Sequence, residues 1–220
     1  MLLSGARIAQ EVEAGRLIVE PFQRDQLNPN SYDLTLADCL VSYRAQAWRG
    51  RYVLDMRRPH PTVEHRILQD GYLLEPQKLY LGRSVEWTSS PYYVPMLEGR
   101  SSIGRLGLSV HTTAGFGDRG FRGHWTLELS VVQPLVIYPG VRIAQLCFWE
   151  VDQGGPVYEG KYLNERNTPP LPSKLWREFE PRAALAAARV RVQEELVDSS
   201  AGGEKGPSGD KAPNTQLAGS

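Results

Sequence analysis

The residues of this chain that could do chemistry gather in one stretch. Arg100-Ser101-Ser102 offers a guanidinium fork, two hydroxyls and neighbouring backbone N–H groups, a set that suits phosphate oxygens. Arg105 follows shortly after. Asp118 sits in a glycine-flanked turn, and Glu128 interrupts an apolar strand segment, Trp125-Thr126-Leu127-Glu128-Leu129. Two strands joined by a turn can return that carboxylate to the same pocket, where it would hold and pass a proton. Taken alone, the pattern favours a structural ion pair between Glu128 and an arginine such as Arg105, since such pairs are common. Arg-Ser-Ser alone equally fits a turn capped by serines. Other chemistries fall away. His60, His65, His111 and His124, with Cys39 and Cys147, lack the spacing of a zinc-ligand set. There is no Gly-x-Ser-x-Gly elbow and no Gly-x4-Gly-Lys-Ser/Thr phosphate loop. Hydrolytic chemistry here is expected to rest on carboxylates and bound water, with no metal held by the protein.

The elements that must position these groups read as short strands. Ser4 caps a first helix expected to run to about Ala14, with Ile8 and Val12 on one face and Gly15 as its stop. Leu17–Phe22 reads as a strand ended by proline, and Asn28-Pro29-Asn30 as a loop. Strand patterns follow at Tyr32–Leu36 and Leu40–Tyr43, then as short apolar runs between turns from 50 to 98. Further strands are expected at 124–132, 135–138 and 143–151, with Tyr138-Pro139-Gly140 as a tight turn. This spacing predicts a mainly β sandwich or barrel over residues 1–180. Pro181 opens an expected C-terminal helix over 181–197, and 198–220 is expected to be a disordered tail.

Composition narrows the class further. Lys+Arg and Asp+Glu are 25 each in 220 residues, so the net charge is zero and a general nucleic-acid binder is not expected. Cys39 and Cys147 lie far apart in apolar stretches and read as buried, reduced thiols. No run of about 18 apolar residues occurs, so no membrane span is expected. The opening Met1-Leu2-Leu3-Ser4 lacks the pattern of a secretion signal. A cytoplasmic protein is expected.

The block Gly99–Leu108 (GRSSIGRLGL), then His111-Thr112-Thr113-Ala114-Gly115-Phe116, Asp118 and Gly120-Phe121-x-Gly123-His124-x-Thr126-Leu127-Glu128-Leu129 resembles the dCTP deaminase family, within the trimeric dUTPase-like superfamily. Pro29-x-Ser31-Tyr32-Asp33-Leu34 and Pro139-Gly140-x-x-Ile143-x-Gln145-Leu146-Cys147 are similar to it too, and the resemblance runs over residues 2–175. It implies a distorted β-barrel or jelly-roll-like fold of the dUTPase type, assembled as a homotrimer with sites at subunit interfaces. The implied substrate is dCTP carrying Mg²⁺ on its triphosphate, without zinc. By resemblance, Glu128 is the proton-transferring residue, assisted by Arg105 and Ser101. Arg100, Ser101 and Ser102 hold phosphates, Asp118 the 3′-hydroxyl, and Phe121 packs on the sugar. Backbone groups of Thr126 and Leu127 read the base edge, and Tyr158 and Lys161 close over the phosphates. Glu165 stands where the family has glutamine. Ala114-Gly115-Phe116 resembles the bifunctional, dUMP-forming members, where single-step members carry His-Arg after the alanine. Gly115-Phe116 is expected to free space near the sugar, and Gly117 to loosen the turn before Asp118. A plain dUTPase and a catalytically silent nucleotide-binding homologue are the alternatives.

Overall fold

A short helix, α1 (Gly5–Glu13), opens the chain. Ser4 caps it as expected, its hydroxyl accepting from the Arg7 N–H at 3.2 Å. Ile8 is fully buried and Val12 packs beside it, so one apolar stripe docks the helix. Among the described residues twelve strands follow: β1 (Ile18–Glu20), β2 (Tyr32–Tyr43), β3 (Gln46–Trp48), β4 (Arg51–Val53), β5 (Thr62–Arg66), β6 (Tyr72–Leu74), β7 (Tyr80–Ser89), β8 (Tyr93–Gly99), β9 (Leu108–Ser109), β10 (Arg122–Val131), β11 (Leu135–Ile137) and β12 (Arg142–Glu150). A single turn of helix, α2 (Ser101–Gly104), lies between β8 and β9. The computed structural model describes residues 1–180; the helix expected at 181–197 and the tail at 198–220 lie outside the described residues.

The main sheet has eight strands. Six run in the order β8-β12-β2-β7-β10-β9, with β1 added on β7 and β5 on β2. The pairings are antiparallel, which short loops allow. The two strands expected at 32–36 and 40–43 are one long β2, because a register shift between Leu36 and Leu40 bends it without ending it. Small hairpins β6·β11 and β3·β4 complete the fold, which is mainly β, as expected.

Alternation decides which side chains reach the core. On β10, Leu127, Leu129 and Val131 are buried while Thr126, Glu128 and Ser130 are half-buried on the other face. On β12, Ile143, Leu146 and Phe148 do the same work against Leu34 and Leu36 of β2. Truncating one of these leucines to alanine costs about 2–5 kcal/mol in such settings. Cys39 and Cys147 are both free and half-buried rather than buried, and burial raises the pKa of each thiol.

Contacts divide the chain into two units, Met1–Lys174 and Leu175–Ser220. The described part of the second holds a 3₁₀ turn, Leu175–Glu178. Among the described residues no helix is long and apolar enough to cross a membrane.

Candidate active site

A cavity of about 510 Å³ opens on the polar face of β10. Thr126 and Glu128 of β10 form its floor, and Leu81 of β7 sits beside Glu128 in register. The strand bulges between His124 and Thr126. That extra residue re-aims the side chains, so His124 and Trp125 both line the cavity although they are neighbours. Glu128 enters no ion pair among the described residues. Its Oε2 accepts from the Thr112 N–H at 3.2 Å, while its own N–H is held by the Val110 carbonyl at 2.8 Å. The structural pairing with Arg105 that the sequence left open is therefore not made.

The loop from His111 to Gly120 forms a second wall. It lies along β8, with the Leu97 N–H on the Gly115 carbonyl at 2.6 Å and the Gly117 N–H on the Pro95 carbonyl at 2.9 Å. A Cβ at Gly115 would meet the Leu97 carbonyl oxygen at 2.5 Å; one at Gly117 would meet Trp125 at 2.7 Å and Pro95 at 2.9 Å. Both glycines are there for close approach. The expectation that Gly117 loosens the turn is corrected: it is pinned on both sides, and Asp118 leaves a fixed backbone. The space expected from Gly115 is likewise occupied by β8. Asp118 is exposed on the cavity lining, and its carbonyl closes the turn on Phe121 at 3.1 Å. Phe121 tilts on Trp125 with ring centroids 4.8 Å apart and completes an aromatic wall with Tyr158.

The third wall is an arm from Tyr158 to Lys174, without regular structure but held throughout. Asn164 is buried, and its amide pairs with both backbone groups of His124: Oδ1 accepts from N–H at 2.7 Å and Nδ2 donates to the carbonyl at 3.1 Å. Trp87 Nε1 donates to the Asn164 carbonyl at 3.1 Å. His124 Nε2 accepts from the Asn167 N–H at 3.0 Å, so Nδ1 carries the proton and donates to the Ser84 carbonyl at 3.1 Å. Burial lowers the pKa of this imidazole, and the charge of Arg83 nearby lowers it further. Arg83 itself donates to the Thr168 carbonyl at 2.9 Å. Thr126 Oγ1 accepts from Leu171 N–H at 3.0 Å, and Tyr43 OH from Ser173 N–H at 2.6 Å.

Of the residues singled out from the sequence, Glu128, Asp118, Phe121, Thr126 and Tyr158 meet in this cavity. Leu127 does not line it, because alternation turns its side chain fully into the core. Lys161 and Glu165 belong to the arm but do not line the cavity; Lys161 Nζ stands 5.6 Å from the Tyr162 ring, and Glu165 is exposed. Arg100, Ser101, Ser102 and Arg105 lie outside it, on and around α2, where both serines and Arg105 are exposed. Among the described residues lining the cavity there is no lysine or arginine. One chain thus supplies two carboxylates and an aromatic wall, a setting for proton transfer to a planar ring, without the cations that a polyphosphate needs. Asn164, His124, Tyr43 and Tyr162 were missed. Tyr43 stands at the end of β2, while the bulge presents His124 and the fold-back of the arm brings Asn164 and Tyr162, and neither of these two leaves a local pattern.

Comparison with known proteins places the chain in a family. Residues 2–151 match the dCTP deaminase-like family. A Clostridium beijerinckii protein named dCTP deaminase, dUMP-forming, is 48% identical over 181 residues, which is 82% of this chain and 99% of its own length. A protein of the same name from Leptospira biflexa is 45% identical over 181 residues, with the same coverage of 82% and 99%. Among solved structures, the 2′-deoxycytidine 5′-triphosphate deaminase of Agrobacterium tumefaciens superposes with a TM-score of 0.52 at 25% identity, over 67% of this chain and 47% of that one. This chain therefore spans less than half of that solved chain. Matched over residues 2–151 by the family model and over most of its length by these relatives, the chain belongs to the dCTP deaminase-like family.

Proposed function

We propose that this protein is an enzyme that deaminates dCTP and carries the product on to dUMP and pyrophosphate, in the synthesis of pyrimidine deoxynucleotides in the cytoplasm. The observation that carries the reading is Glu128: a carboxylate on the cavity floor, steered by the Thr112 N–H and engaged by no cation among the described residues. Its closely similar relatives bear the name of that two-step activity.

In the first step Glu128 takes a proton from water as the oxygen adds to C4 of cytosine. It delivers that proton to the ring nitrogen, takes a second from the newly added hydroxyl and passes it to the amino group, the C4–N bond breaks, and ammonia leaves. Arg105 and the Ser101 hydroxyl stabilise the charge that develops, as preorganised donors do. Arg100, Ser101 and Ser102 hold the phosphates, with Tyr158 and Lys161 closing from the arm. Asp118 takes the 3′-hydroxyl, Phe121 packs on the deoxyribose, and backbone groups of Thr126 and Leu127 read the base. In the second step Asp118 orients a water in line with the α-phosphate, and Arg100 neutralises the leaving pyrophosphate; such positioning is most of what phosphoryl transfer needs.

These roles require more than one subunit. The cavity lining of one chain lacks cations, while Arg100 and Arg105 stand on an outward ridge flanked by exposed Leu106 and Val132. An apolar patch beside charged ligands fits a subunit contact, and a homotrimer places the ridge of one chain at the cavity of the next. Mg²⁺ arrives on the triphosphate, where it neutralises part of the phosphate charge.

Incubation with dCTP and Mg²⁺, followed by separation of dUTP, dUMP, ammonia and pyrophosphate, tests the reading. Ammonia, dUMP and pyrophosphate should appear in equal amounts. Accumulating dUTP, with added dUTP left intact, would reduce the protein to a one-step deaminase, and no ammonia at all would end the reading.

A further inference from the structure

Asp33 is a carboxylate only 2% exposed, between Tyr32 and Leu34 along β2. Burying a charge there costs stability unless it is paired, and even a paired one is rarely more stable than an apolar residue of similar size. Its presence asks for a use in geometry. The Oδ1 atom accepts from Asn28 Nδ2 at 2.8 Å and pairs with Arg100 Nε at 3.1 Å. Arg100 Nη1 donates to the Arg142 carbonyl at 2.8 Å. Arg142 is itself fixed, its guanidinium donating to the Asp25 carbonyl at 2.8 Å and pairing with the Asp25 carboxylate. Arg100 is thus gripped on two of its three nitrogens by its own chain. Its Nη2 has no partner among the described residues, and the side chain stays 32% exposed at the start of α2.

We infer that Asp33 is a positioning residue for Arg100: it aims the open end of the guanidinium fork at the triphosphate of the nucleotide bound in the neighbouring subunit. The inference rests on the reading of Arg100 as a phosphate ligand. A long, flexible arginine must otherwise be ordered when the nucleotide binds. Held by Asp33, it presents its remaining donors already in place, and a planar fork loses little on forming further bonds. Asp33 does not touch the substrate; it acts through Arg100 alone.

That dependence gives the test. Asp33→Asn keeps size and the Asn28 contact but removes the charge that holds Nε. KM for dCTP should rise about 10- to 100-fold, the scale of a misplaced binding group, while kcat changes less than about threefold. In an Arg100→Ala background the same substitution should change KM by less than about twofold, because sites acting through one another are not additive. An equal rise in both backgrounds would show a merely structural carboxylate and overturn the inference, as would an unchanged KM in the Arg100 protein. If Asp33→Asn does not assemble, judged by circular dichroism and light scattering, Asn28→Ala replaces it. A rise in KM of about two- to fivefold that vanishes with Arg100→Ala supports the inference, and a rise that persists, or none, overturns it. Ammonia release by the unaltered protein is measured alongside: its absence would remove the deaminase reading itself, whereas turnover with additive effects removes only the role of Asp33.

Discussion

The cavity wall and the α2 ridge are both polar, but they spend their hydrogen bonds in opposite directions. Around β10 the donors and acceptors close on their own chain: Asn164 on His124, Thr126 on Leu171, Tyr43 on Ser173. Around α2, Arg100 is held through Nε and Nη1 of its guanidinium, while the side chains of Ser101, Ser102 and Arg105 are exposed. A wall that satisfies itself keeps a fixed shape, whereas a ridge that leaves its groups open keeps them available to something outside the chain. On the proposed reading, the two halves of one chemistry are built on surfaces that a single chain does not bring together.

The largest effect expected comes from breaking the wall's own chemistry. Glu128→Gln should lower ammonia release by about 10⁴-fold or more, the upper end for loss of a general acid/base, since one carboxylate serves several proton transfers. Nucleotide binding and the circular dichroism spectrum should stay as they are. Unchanged turnover in this variant would remove Glu128 from the mechanism.

The next effect tests whether wall and ridge belong to different subunits. Arg100→Ala alone should lose most dCTP turnover. Mixed with Glu128→Gln in equal amounts, unfolded and refolded together, it should recover about a quarter of the activity, the share of interface sites that receive both intact residues in a cyclic trimer. No recovery, or an active monomer by light scattering, would place both groups in one chain.

The smallest effect concerns stability and sharpens what closed pairing is worth. Glu11 of α1 is fully buried, and the Arg16 guanidinium hydrogen-bonded to it, aided by Tyr93 and Arg7, holds its carboxyl down at about 2, against an ordinary value of 4.5. A carboxyl depressed by folding adds stability above its unfolded value and loses it as pH falls through the folded one. The urea midpoint of Glu11→Gln should therefore lie below that of the parent at pH 6, with the gap narrowing from about pH 4.5 downward and gone near pH 2. A gap independent of pH would mean that packing, not charge, is what Glu11 contributes.

Much of this was legible beforehand, for physical reasons that differ by region. The β10 pattern of Leu127, Glu128 and Leu129 shows both a strand and a carboxylate facing away from the core, because side chains alternate whatever the strand pairs with. The Ser4 cap and the first helix are local too. The arm was not legible in the same way. Its order comes from single side chains reaching backbone groups some forty residues away, as Asn164 does, and such contacts leave no periodicity. Gly117 was read as slack because a glycine in a turn is usually free to move; only Trp125 and Pro95 packed against it show that it is there for lack of room.

Gly123 carries a consequence for how this sequence can change over time. It sits at φ 150°, and a Cβ there would fall 2.2 Å from the Asn164 amide nitrogen. Position 123 is thus closed to a side chain twice over, by its own backbone and by the amide seated against it, and shortening Asn164 would lift only one of the two bars. The amide in turn is kept by its bonds to both backbone groups of His124. In a lineage of such chains, glycine at 123 should therefore persist even where residue 164 changes.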